Sequence, residues 1–392
     1  MTLKRKGKVL RKYEQISGAT EQRGWKNPVS GPGREKAPSG LITDLKYRFP
    51  GRYIASWGAL ALALLVIALV VPVTLRPDGL RVSTALAGVL ALASLGQMLV
   101  VMLGAIDLSV PAVITCSAGV VVHYGTQGAN LLAVVGVALA VSVVISLLNW
   151  LFISVIRLNA IIVTLATFGI VTGAVVLWTG ASFSMTGLAP TDMQNFTHWS
   201  FLGLNACFIV AVVVGVIIAL VLSKTRGGRQ IAAIGSNRRA ARFHGINVRR
   251  IEFFTFGGVG LLYGLAGVLV AGFVVTPDTS VGTPYQLATI TAVAIAGTAF
   301  NGGPSSAASV VCACLFLQLL DQALSIYGFA AGPRVVAQGV ALVLAVSAIT
   351  LGQFALSGLR WGNRGIHRGG GRNPEQGVGS KTTPSFNIKE TI

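Results

Sequence analysis

Very few side chains within the long apolar stretches of this 392-residue chain carry a charge or a nucleophile, so each one that does narrows the chemistry. Asp107 stands in Met102-Leu-Gly-Ala-Ile-Asp-Leu-Ser-Val-Pro-Ala112, where an ionised group costs about 2.5–3.5 kcal/mol if it reaches a bilayer centre. It has two readings: a cap or gate at a helix that Ser109 and Pro111 begin, or a direct contact for a passing solute. A proton relay would need a Lys, Arg or His partner in neighbouring apolar runs, and none lies there. Gln97, Asn149, Thr164, Thr167, Thr289 and Thr291 are the other polar groups inside these runs, and hydrogen bonds between helices account for such residues. Asp321 and Gln322 fall near the end of a run, where exposure at a membrane surface suffices.

Other chemistries are absent from the pattern. Cys116, Cys207, Cys312 and Cys314 lie in apolar segments, whereas zinc or disulfides would need ligands grouped on polar loops, so they read as packing residues. His123 stands at a run end, and His198, His244 and His367 lie on loops or tails, which leaves no metal set and no Ser–His or Ser–Lys pair. Gly257, Gly258, Gly260, Gly264 and Gly267 have no preceding strand and no Gly-Lys-Ser/Thr ending, so they form no nucleotide loop. Gly260 and Gly264 make a GxxxG pair for close helix packing. No enzyme activity, metal or cofactor is expected in this chain.

Composition supplies the frame for these residues. Apolar residues make up 53% and charged residues 11%, against about 25% charged in a soluble domain, so most of the chain must face lipid or other helices. The net charge of +19 does not point to nucleic acid, because the basic residues sit in the tails and one loop rather than beside a readout surface. Ten apolar runs are read near 54–73, 81–103, 110–124, 130–156, 159–180, 204–223, 251–275, 286–298, 306–325 and 333–356. They are continuously apolar rather than alternating, which predicts an all-α integral membrane protein of about ten transmembrane helices instead of a barrel.

Three regions follow: a basic, disordered N-terminal tail over 1–53, a membrane domain over 54–356 and a polar C-terminal tail over 357–392. With both tails and the 224–250 loop in the cytoplasm, 28 of the 31 Lys and Arg lie inside, leaving Arg76, Arg81 and Arg334 outside. The N-terminal tail is expected to lie on anionic membrane lipid. Runs 3 and 8 are the short ones and hold the same third place in two halves of five. Because five is odd, the halves would be inverted, and paired short segments of this kind point to a transport site near the midplane. Gly297, Thr298, Gly302 and Gly303, in Ala296-Gly-Thr-Ala-Phe-Asn-Gly-Gly-Pro304, form a turn that would line the inner mouth of the pathway.

The 224–250 loop holds eight Lys or Arg. Its middle predicts one short helix, with Ser236 or Asn237 as cap, Arg238 to His244 as body and Gly245 as stop. Ala240 and Ala241 offer a low-relief face beside Phe243, which suits a groove on another protein; a lipid-facing basic loop fits equally well. Arg238 and Arg239 oppose the helix dipole in the first turn, so an acidic partner groove would offset them.

Gly235-Ser-Asn-Arg-Arg-Ala-Ala-Arg-Phe-His-Gly-Ile-Asn-Val248 resembles the loop motif of permease subunits of bacterial ABC importers of the ribose, xylose and galactose type. Ala105-Ile-Asp-Leu-Ser-Val-Pro111, Arg157 to Thr167, Gly260 to Gly267 and Ala296 to Gly303 are similar to further elements of that family, in order, across 54–356. The chain departs from the family pattern at Arg238 or Arg239, where Glu is common, at Pro111 for Gly and at Ala299 for Ser. The resemblance implies a plasma-membrane permease for a sugar or related small solute, working by alternating access. It implies separate ABC ATPase subunits that hold ATP and magnesium, an extracytoplasmic solute-binding protein and a second permease copy or homologue. The same resemblance makes Gly235, Asn237, Arg238, Arg239, Ala240, Ala241, Arg242, Phe243, Gly245 and Ile246 the coupling element that docks on the ATPases. Asp107, Ser109, Gln97, Asn149, Thr164 and the 297–303 turn are then the candidate pathway or gate. The alternative is a secondary transporter driven by an ion gradient, which would call for paired membrane carboxylates.

Overall fold

The computed structural model describes residues 54–125, 128–180, 187–344 and 347, so the expected tails 1–53 and 357–392 lie outside the described residues, as does most of the end of the tenth run. Helix α1 spans Ile54–Val70. A 3₁₀ turn, Pro72–Leu75, leads to α2, Pro77–Met102, whose proline occupies the first turn where no amide partner is lost. Then come α3, Val110–Gly125; α4, Leu131–Trp150, prolonged by a π turn over Leu151–Val155; and α5, Ala160–Thr179. Next are α6, Thr191–His198, a two-residue hairpin of β1, Ser200–Phe201, with β2, Leu204–Asn205, and α7, Ala206–Lys224. The remainder comprises α8, Arg226–Ser236; α9, Arg238–Phe243; α10, Val248–Val274; α11, Tyr285–Ile295; α12, Ala307–Ile326; and α13, Ala331–Leu344.

Asparagine sets many of these starts. Asn130, Asn159, Asn205, Asn237 and Asn247 each accept a first-turn amide, capping α4, α5, α7, α9 and α10. Helices α2, α4 with its π turn, α5, α7, α10 and α12 are long and apolar enough to cross a membrane. Helices α1, α3, α11 and α13 are apolar but shorter, so the described residues carry ten apolar helices at the ten apolar runs. The chain is an all-α membrane protein.

Helix α2 is the mast of the bundle, with nearly every residue from Ser83 to Met102 buried. Helix α7 packs on it closely enough that a side chain on Gly88 would strike the Cys207 backbone. Helix α10 packs on α2, α3 and α4. Its Gly260 and Gly264 lie against Ser142 of α4, where built Cβ atoms would stand 2.7 Å from the Ser142 carbonyl oxygen and 2.8 Å from its Oγ. The exposed faces of α5 (Ile162, Leu165, Ile170) and α7 (Val213, Val216, Ile217) are apolar, as lipid contact requires.

The seams are paired. Helix α10 packs on α4 as α2 packs on α12, α10 on α3 as α2 on α11, and α3 on α4 as α11 on α12. Exchanging α2 with α10, α3 with α11 and α4 with α12 therefore preserves the central contacts. Since the matched helices stand five apart in the membrane order, the exchange turns the half over.

Two stretches are more structured than the sequence pattern implies. The basic loop holds two helices rather than one: α8 was hidden by Gly227 and Gly228, yet Thr225 caps it by accepting the Gly228 amide at 3.1 Å. The segment around 187–205 carries α6 and the hairpin, pinned to α2 by the Asn205 amide donating to Thr84 Oγ1 at 3.0 Å.

Candidate transport pathway and coupling loop

Helix α2 stops at Met102, and the chain turns back through Gly104 (φ +82°) before α3 begins at Val110. Asp107, 1% exposed, lies in this break. Its Oδ1 accepts from the Ser109 amide at 2.8 Å and the Ser109 hydroxyl at 2.6 Å, an Asx turn that leads into α3. Asn149 of α4 donates through Nδ2 to Ser109 Oγ at 2.9 Å, and Thr167 of α5 donates to Asn149 Oδ1 at 2.6 Å. One chain of hydrogen bonds thus ties the break to α3, α4 and α5. Thr164 donates to the Ala160 carbonyl at 2.9 Å within its own helix.

Two buried polar atoms here lack partners among the described residues: Asp107 Oδ2 and Gln97 Nε2. Gln97 Oε1 accepts from the Tyr263 hydroxyl of α10 at 3.3 Å. An unpaired buried donor or acceptor costs about 1–3 kcal/mol, so such atoms mark where water or a ligand belongs.

The second short helix meets the first. Just before α11, the Gly282 amide donates to Thr115 Oγ1 at 3.1 Å, and Gly282 lies against the Pro111 carbonyl in the first turn of α3. The N-terminal ends of α3 and α11 therefore come together in the interior. After α11 the chain turns through Gly297 (φ +79°), Gly302 (φ +90°) and Gly303 (φ +115°). Thr298 Oγ1 and Ser305 Oγ share a hydrogen bond, and Ser306 caps α12. Thr289 and Thr291 bond to carbonyls of their own helix.

In the basic loop, Asn237 accepts the amides of Arg239 and Ala240 at 3.1 and 3.0 Å, and Gly245 (φ +76°) follows the end of α9. Ile234, Ala241 and Val248 form a small core with Leu103, Ile246 and Ile251 packed around it. Ala241 is 4% exposed and packs on its own chain, while Ala240 stays partly exposed. What projects is Phe243, 91% exposed, with Arg239 and Arg242 also exposed.

Arg238 needs no acidic partner from outside. Its Nη2 lies 2.8 Å from Oε2 of Glu252, a carboxylate only 2% exposed near the start of α10. The expectation of an acidic groove is thereby corrected for Arg238, and Arg239 alone of the pair remains free to meet one. Trp150 Nε1 donates to the Arg249 carbonyl at 3.2 Å, bracing α4 against the same region, and the Arg250 guanidinium lies 5.9 Å from the Phe254 ring centroid. Asp321 pairs with Arg334 at 3.1 Å, joining α12 to α13, so its role goes beyond surface exposure. Sequence reasoning missed Tyr263 and Glu252. Glu252 had a signal, being the one carboxylate within a few residues of the Arg-rich loop; Tyr263, in an apolar run, had none.

Broken helices meeting inside a bundle of apolar spans, with a folded basic loop at one end, define a multi-pass membrane transport protein. Residues 80–351 match the family model described as branched-chain amino acid transport system / permease component, and the chain belongs to that family. It is 29% identical over 256 residues to the Ribose import permease protein RbsC of Bacillus subtilis (strain 168), covering 65% of this chain and 79% of the relative. It is 28% identical over 317 residues to the Probable ABC transporter permease protein y4mJ of Sinorhizobium fredii, covering 80% of this chain and 92% of the relative. The Fructose import permease protein FruF of Bifidobacterium longum is 28% identical over 236 residues, 59% of this chain and 66% of that one. No solved structure matches the chain.

Proposed function

We propose that the chain is the membrane subunit of an ABC importer and forms the pathway for a monosaccharide or related polyol. Separate ATPase subunits bind ATP and magnesium, and their closure drives the bundle between outward- and inward-open states. A solute-binding protein delivers the sugar to the end bearing α6 and the hairpin, and a second permease copy or homologue completes the assembly. The basic α8–α9 loop and both termini lie in the cytoplasm and the bundle lies in the bacterial inner membrane, in line with the charge bias.

The observation that carries this reading is the convergence of α3 and α11 beside Asp107. Two short helices from exchange-related halves begin in contact inside the bundle, and Asp107 Oδ2 and Gln97 Nε2 leave an acceptor and a donor for a sugar's hydroxyls. Asp107, Ser109, Gln97, Asn149 and Thr164 line or gate that point, and the 297–303 turn closes it at the cytoplasmic end. Similarity to ribose and fructose import permeases supports the substrate class. Phe243, Arg239 and Arg242 form the surface offered to the ATPases.

Uptake into vesicles holding the permease with its ATPase subunits tests the reading, with ribose and fructose as probes. ATP-dependent, binding-protein-dependent uptake is expected. Asp107 Oδ2, buried and without a counter-charge, is what an ion-coupled carrier would use. Uptake that runs on an ion gradient without the ATPases would replace the importer with that second reading.

A further inference from the structure

Three backbone segments meet at the loop end of the bundle with no side chain between them. A Cβ built on Gly235, in the last turn of α8, would fall onto the Met102 carbonyl oxygen and stand 2.7 Å from the Gly303 nitrogen. The Gly303 amide donates to that same Met102 carbonyl at 3.0 Å. A Cβ on Gly302 would stand 2.6 Å from the Gly235 carbonyl oxygen. The end of α2, the end of α8 and the turn before α12 are thus in direct main-chain contact. Residue 237 then caps α9, and the Arg238–Glu252 pair fastens α9 to α10.

We propose that Gly235 is the positioning residue of this junction. The end of α2, α8 with α9, and the 302–303 turn move as one rigid body, and the pathway opens elsewhere. Side chains at a packed seam can change rotamer and absorb a displacement, whereas backbone lying on backbone has no such slack. A push on the α8–α9 unit therefore reaches both helix breaks undiminished: the one after Met102 that leads to Asp107, and the one after α11. The corollary is specific. The pathway does not open by parting Met102 from the 302–303 turn, although that turn lies at its mouth. This inference rests on the importer reading for the source of the push.

The test uses the permease in complex with its ATPase subunits in membrane vesicles. A Cβ on Gly303 would stand 3.7 Å from Ser236 Oγ, so Ser236→Cys with Gly303→Cys brings two thiols within disulfide range. Oxidising this variant should leave ATP-driven ribose or fructose uptake equal to that of the same vesicles after reduction. Loss of uptake on oxidation, restored by reductant, would overturn the proposal. Gly303 has φ +115°, so the reduced variant could itself be inactive. In that event hydrogen exchange on the unsubstituted complex decides: protection of the Gly303 amide should be the same with ATP and with ADP, and a loss of protection in either state overturns the rigid body. Gly235→Ala should abolish uptake while ATPase subunits still copurify, and uptake at the unsubstituted rate would count against it. Failure of the ATPases to copurify with the unsubstituted chain would sink the importer reading, leaving the exchange result to judge the junction.

Discussion

Replacing Arg238 by Ala should destabilise the permease more than replacing Arg239, although both are arginines in the first turn of the same short helix. The difference lies in what each leaves behind. Removing Arg238 leaves Glu252, a carboxylate 2% exposed, with only the weaker influence of Arg242. Breaking a fully buried pair from one side costs about 3–5 kcal/mol. Arg238 is 39% exposed and uses a single nitrogen at 2.8 Å, so solvent already screens the pair, and about 1–3 kcal/mol is the expected loss. At roughly 2–4 °C per kcal/mol, the midpoint of thermal unfolding falls by about 4–8 °C for a loss near 2 kcal/mol. Tryptophan fluorescence of the purified permease in detergent reads this, at one scan rate because such unfolding is rarely reversible. Arg239→Ala should stay within about 0.5 kcal/mol of the parent. Glu252→Gln added to Arg238→Ala should recover part of the loss, since no buried charge is then stranded. Equal midpoints for the two arginine variants, or strictly additive effects in the double variant, would refute the pairing as a stabilising contact.

Phe243→Ala should leave that midpoint unchanged, since the ring is 91% exposed, yet lower the fraction of ATPase subunit retained on affinity purification. Asp107→Asn keeps an oxygen for the Ser109 amide and should fold normally, while Asp107→Ala loses both bonds to Ser109 and about 1–3 kcal/mol; a depressed ribose or fructose uptake in the well-folded Asn variant would separate pathway from turn. Asn149→Leu removes the link between Ser109 and Thr167 and should lower the midpoint by stranding the Thr167 hydroxyl, while Ser109 keeps its bond to Asp107, read by the same fluorescence scan. Gly264→Leu should destabilise by about 1–3 kcal/mol, because Ser142 of α4 occupies the space, whereas Gly258→Leu, with nothing within 4 Å, should not.

The ten apolar helices were legible because a membrane asks so little of sequence: a long run without charge is enough. Their starts were legible to within a few residues where an asparagine preceded the run, as at Asn130, Asn159 and Asn205. Helix α8 was not, because two glycines and two arginines look like a loop until Ile231 and Ile234 find the underside of the bundle. The inward turn of Ala241, which the sequence pattern places on an outward face, has the same origin. Small residues suit a groove on a partner and a tight approach to one's own chain equally well, and only the position of Leu103 and Val248 decides. Arg238 reads as an unfavourable charge in sequence because its partner lies fourteen residues on, in the next helix. Asp107 and Asn149 were both suspect as polar residues in apolar runs, but the hydrogen bond from Asn149 to Ser109 spans forty positions and follows from packing alone.

The central place of α2 sets a clock on the birth of this protein. Helix α2 ends at Met102, but α10, which covers one long side of it, begins at Val248, roughly 150 residues later. At about 5–20 residues per second, a ribosome takes roughly 7–30 s to supply that partner. Throughout this interval Gln97, which meets Tyr263 of α10 in the finished bundle, faces lipid or whatever the insertion machinery offers. The innermost helix of the folded permease is thus among the first to be made and the last to be enclosed, and nascent chains stalled between α2 and α10 are the species a membrane protease would meet.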